Sequence, residues 1–201
     1  TVSSGGWQIV SSGGRTVNAL VRGGGKLVVS SGATAQNATV AQSGTLQAVR
    51  GAVISGMTVS AGANLQLSGG VTVNGTNNVS GARITISGTN NNVSNLTTGS
   101  ATAINYDIRN VSASETAAML RLSANQTKAG QYSVTVKAGQ GVGTYELSSN
   151  LALAAGTVFT IRQDNTTLGT VRLNGSSLVL NGVSYRVTAS GTQINLTISA
   201  A

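Results

Sequence analysis

Four side chains in this sequence carry a carboxylate: Asp107, Glu115, Glu146 and Asp164. Histidine and cysteine are absent. That removes the commonest general base and metal ligand, and every thiolate site. Cleavage of a glycosidic bond needs two carboxyl groups facing one substrate. Glu146 with Asp164 is the pair the sequence offers for it, because residues 1–97 contain no acid. A calcium site needs several charged oxygens gathered together, and the four acids are well separated along the chain. The glycine-rich "GQGVG" at 139–143 has no helix pattern after it, so it does not read as a phosphate loop. The expectation is a non-enzymatic protein with no catalytic, metal-binding or cofactor-binding residues and no cofactor.

The composition says what would have to hold such groups in place. Charged residues make up 8%, far below the ~25% of an ordinary soluble domain. Hydroxyls and amides must therefore cover the surface. Apolar residues reach 40% but aromatics only 3%, so a core must come from Val, Ile, Leu and Ala. The net charge of +8 is spread along the chain at Arg15, Arg22, Lys26, Arg50, Arg83, Arg109 and onward. No Lys/Arg patch with stacking aromatics forms, which argues against nucleic acid as a partner. Diffuse positive charge gives a weak attraction to anionic cell surfaces. No run of ~18 apolar residues occurs, so no transmembrane segment is expected. The start at Thr1 fits removal of a leader.

A 19-residue period governs the first half. Gly5, Gly24, Ser43, Gly62 and Gly81 form one column, and Gly13, Gly32, Gly51, Gly70 and Thr89 another. Val10, Val29, Ala48, Leu67 and Ile86 repeat in step, as do Gln8, Leu27, Leu46, Leu65 and Ile84. Val2, Val21, Val40 and Val59 lead four units, with Asn78 in the fifth slot. Each unit alternates apolar and polar residues between glycine turns, which means strands. One unit cannot bury its apolar face alone, but stacked units can. The fold class is therefore all-β: a β-solenoid of about five 19-residue coils over residues 1–97. The run Asn90, Asn91, Asn92 reads as a decayed last coil. A β-sandwich with evenly spaced hairpins is the competing architecture.

Residues 98–201 read as a β-rich module, either antiparallel and sandwich-like or extending the solenoid. Asn174–Gly175, Asn181–Gly182 and Ser190–Gly191 read as hairpin turns. Tyr132, Tyr145, Tyr185 and Phe159 read as core or strand-face residues.

The segment "VSSGGRTVNALVRGGGKLVVSSGATAQNATVAQSG" (residues 10–44) resembles the repeats of AIDA-type bacterial autotransporter adhesins, and the resemblance covers residues 1 to about 97. It implies a β-helical passenger stalk at the bacterial cell surface or outside the cell. It also implies O-glycosylation at Ser3, Ser4, Ser11, Ser12, Ser30 and Ser31, which otherwise serve as turn residues. The expected function is that of an adhesin stalk or passenger mediating adhesion, self-association or biofilm formation. The partners would be further copies of the chain, a host or neighbouring cell surface, or a glycan. The alternatives are a subunit of an extracellular filament or surface layer, and a carbohydrate-binding or carbohydrate-cleaving β-helix protein.

Overall fold

The structure is a computed structural model describing residues 1–201, with every side chain except those of Asn125 and Thr127. All its regular elements are strands, so no helix is present to cross a membrane. They form one nine-stranded and one twelve-stranded sheet. In the first sheet, Trp7–Val10, Lys26–Val29, Thr45–Val49, Asn64–Ser68 and Arg83–Ser87 stack in parallel, each 19 residues after the last. The second sheet stacks Arg15–Val17, Thr34–Val40, Val53–Val59 and Thr72–Val79 in the same way. The chain alternates between the sheets, and this is the β-solenoid.

Period-2 alternation sends one side of every strand inward. Leu27, Leu46, Leu65 and Ile84 are registered partners, as are Val29, Ala48, Leu67 and Ile86. All are buried. The turns need left-handed backbone, which glycine adopts freely and Asn tolerates. Three columns supply it: Gly5, Gly24, Ser43, Gly62 and Gly81; Gly13, Gly32, Gly51 and Gly70; and Asn18, Asn37, Gly56 and Gly75. Corner amides also bond from coil to coil. Gly5 N donates to Gly24 O, Gly24 N to Ser43 O, and Gly62 N to Gly81 O, at 2.9 to 3.1 Å.

The fifth coil departs from simple counting. The register slips after Ser55, so Val59 pairs with Val79 and the slot counted for Asn78 belongs to Val79. Asn77 thereby enters the core column in line with Met57 and Leu96, fully buried. Its Nδ2 donates to the carbonyls of Asn74, Gly75 and Ser94, which keeps the slip from stranding three acceptors. Asn91 is also fully buried and donates to Met119 O at 2.9 Å.

The sheets continue past residue 97. Ala103–Asp107, Gln131–Val136 and Val158–Gln163 add to the first sheet in parallel. In the second sheet Asn91–Val93, just before that point, is followed by Leu120–Thr127 and Gly143–Ala152. These coils are longer, with Ala103 registered to Gln131 and Tyr132 to Phe159. Aromatics widen the core here. Tyr106, Tyr132, Tyr145 and Phe159 are buried, and the Tyr132 and Phe159 rings lie 5.2 Å apart. The buried Tyr106 and Ser148 hydroxyls make no hydrogen bond among the described residues. Antiparallel pairing then finishes both sheets. Thr166–Arg172 folds back on Val158–Gln163, and Gln193–Ala200 covers Gly143–Ala152. Val183–Ser190 and Leu178–Leu180 follow at the edge of the second sheet. Asn181–Gly182 is a hairpin turn between Leu180 and Val183. Asn174–Gly175 is not a hairpin. There the chain passes from the first sheet to the second, and Asn174 Oδ1 accepts from Ala189 N.

Candidate binding groove

Side chains on the outer side of the first sheet form ladders at the strand spacing. One ladder runs Gln47, Gln66, Thr85, Asn105, Ser133 and Thr160. Over the longer coils this face is concave. A groove of about 490 Å³ opens there, lined by Arg83, Thr85, Asn105, Gln131, Ser133 and Thr160, with Asp107, Arg109, Arg162 and Asp164 along one side.

Two sets of contacts fix its polar groups. Arg109 donates from Nε and Nη2 to the two carboxylate oxygens of Asp107, at 2.8 and 2.7 Å. Its Nη1 donates to Asp164 Oδ1 at 3.1 Å. The hydrogen bonds it gives to Asp107, then the one to Asp164, hold the guanidinium even more firmly protonated than usual. The second set centres on Asn105. Its Oδ1 accepts from Ser133 Oγ at 2.9 Å and Thr135 Oγ1 at 3.0 Å. The amide plane is thereby set, and its Nδ2 is left as an uncommitted donor. Arg162 gives one bond to Asn165 O. Arg83 makes no ion pair among the described residues.

The structure does not bring Glu146 and Asp164 together. Glu146 lies on the second sheet opposite Asn195, whereas Asp164 sits in the turn between two strands of the first sheet. Glu115 accepts from Ser112 N and Thr89 Oγ1 in a loop. Among the described residues no three acidic side chains gather. The meeting of Asp107, Arg109 and Asp164 was missed because 55 residues separate Arg109 from Asp164. The signal available was Asp107 and Arg109 two apart in an alternating run, on the same side of buried Ile108.

Ser3, Ser4, Ser11, Ser12 and Ser31 are exposed at the coil corners and Ser30 is half-buried. Ser4, Ser12 and Ser31 each place their hydroxyl over a glycine one coil on. A Cβ at Gly24, Gly32 or Gly51 would stand 3.0, 2.9 or 2.8 Å from that oxygen.

No family model matches the sequence, and no curated protein matches it. Among solved structures the chain is similar to the crystal structure of a TibC-catalyzed hyper-glycosylated TibA fragment. The identity is 15%, the match covers 81% of this chain and 87% of that one, and the TM-score is 0.34.

Proposed function

We propose that this chain is a non-catalytic structural module of the bacterial cell surface, an adhesin-like stalk. It associates laterally, with copies of itself or with a cell surface, through the outer sides of its sheets. The supporting observation is the ladders. Gln36, Ser55 and Asn74 stand in register on the second sheet, as do Thr39, Thr58, Asn78 and Thr97, alongside Gln47 and Gln66 on the regular coils of the first. Such rows present donors and acceptors at one repeat along a flat surface. Each hydrogen bond adds about 1 kcal/mol net or less, so affinity comes from the number engaged together. Residues 1–97 carry five basic side chains and no acid, which favours anionic surfaces.

The test is light scattering at rising protein concentration, with cell-adhesion counts on the same preparations. Association that grows with concentration is expected. Thr58→Lys, which puts like charges on facing ladders, should reduce it about tenfold. A chain that stays monomeric and adheres to no cells would overturn the reading.

A further inference from the structure

We infer that the groove on the first sheet is a binding site for a carboxylate-bearing saccharide, such as a short uronate oligomer. This is a discrete ligand site, independent of the lateral association proposed above.

The chemistry follows from what the groove leaves unspent. Its acceptors are largely used: both Asp107 oxygens and one Asp164 oxygen are taken by Arg109, and Asn105 Oδ1 by two hydroxyls. Its free groups are mostly donors. The charged or oriented ones are the Arg83 guanidinium, the remaining Arg162 nitrogens and the Asn105 Nδ2; Gln131 adds an amide that donates or accepts, and Asp164 keeps one oxygen. A ligand that fits must bring oxygen acceptors, and two separate guanidinium groups favour carboxylates. Between the arginines lie the hydroxyls of Thr85, Ser133 and Thr160, which suit sugar hydroxyls. The row from Thr85 to Thr160 crosses three interstrand steps, about 14 Å, which suits an extended oligomer rather than a single ion.

Two features separate this from general attraction to a basic protein. Asn105 is aimed before any ligand arrives, so little ordering cost remains for that contact. Arg109 is neutralised by two carboxylates, so the pull is left to Arg83 and Arg162 at the two ends. The aromatic ring lining the groove, Tyr132, is buried and donates to Lys128 O. It offers no stacking platform for a nucleobase.

The experiment is isothermal titration of the full chain with a short oligogalacturonate, and with the same oligomer methyl-esterified. The esterified form keeps its ring hydroxyls and loses its carboxylates. The acid form should bind with a dissociation constant of roughly 1 mM or tighter, weakening as salt rises. The ester should bind at least about tenfold more weakly. Asn105→Asp keeps the shape and the acceptor for Ser133 and Thr135 but removes the donor, and should cost about tenfold or more. Arg83→Gln should cost a similar factor at an exposed site where folding is not at stake. Arg121→Gln, the same charge change on the second sheet, should leave affinity unchanged. Equal binding of acid and ester, equal losses in Arg83→Gln and Arg121→Gln, or no heat with the acid form would each overturn the inference.

Discussion

At single positions, this fold makes unlike demands on glycine. Gly13 has φ +75° and open space around a would-be Cβ, so only its backbone conformation excludes other residues. Gly25 has no unusual φ. A Cβ there would stand 2.9 Å from the carbonyl oxygens of Ser3 and Val2, and 3.0 Å from that of Arg22. Gly25→Ala should therefore cost about 1–3 kcal/mol through overpacking against rigid backbone. Gly13→Asn should cost less, because Asn tolerates the left-handed region, as Asn18 and Asn37 show. Chemical denaturation of both variants checks the order. Asn77 raises a different question, since an amide fills a place that Met57 and Leu96 fill above and below it. Asn77→Ala removes the donor to three carbonyls and should cost about 1–3 kcal/mol. A variant as stable as the parent would mean that those carbonyls find other partners.

At the scale of strands and coils, the contrast between halves comes from loop length. In the first five coils the same residue type recurs 19 positions on, so counting alone finds Leu27 beside Leu46 and Leu65. The slip that brings in Asn77 leaves one mark in counting, the polar Asn78 in a column of valines, because the 19-residue spacing resumes by Ile84. Beyond Ala103 the inward rows continue through Ile104, Tyr132 and Phe159, but unequal loops separate them. Periodicity has no purchase there, and the strands read equally well as hairpins. The groove was illegible for the same reason: three of its four strands come from a stretch where register, not spacing, decides which residues are neighbours. Where the two regimes meet, a small apolar void of about 10 Å³ is lined by Leu65, Leu67, Ile84, Ile104 and their neighbours. Leu65→Ala would enlarge a gap that already fails to close. Its cost should lie toward the upper part of the 2–5 kcal/mol typical of such truncations, at about 4 kcal/mol. Leu27→Ala, away from the void, should cost less in the same melt.

For the whole molecule, stability is tied to its buried phenols. Desolvation raises the pKa of Tyr106, and desolvation followed by repulsion from Tyr106 raises that of Tyr132, from ordinary values near 10. Below pH 10 both folded and unfolded chains hold these protons, and stability is unaffected. Above it the unfolded chain releases them and the folded chain does not. Stability should then fall by about 1.4 kcal/mol per pH unit for each of the two tyrosines. Tyrosinate absorbance should consequently rise together with the loss of β-sheet circular dichroism. A smooth rise centred near 10 with the sheets intact would show that the phenols are open to solvent.

The corner bonds have a consequence for how such a chain changes over generations. Gly24 accepts from Gly5 and donates to Ser43, and Gly62 donates to Gly81 by the same geometry. Every coil thus meets its neighbours through an interchangeable joint. Excising residues 45–63 would set Asn64 after Gly44, where Thr45 now stands, and Asn64 is already the registered partner of Thr45. Unequal exchange between the repeated gene segments would thus shorten or lengthen the molecule by about 5 Å per unit. The groove, carried on the last regular strand, Arg83–Ser87, and the irregular coils after it, lies outside the excised unit and would travel unchanged. Reach and recognition are written in separate stretches of the gene, so selection can adjust one without disturbing the other.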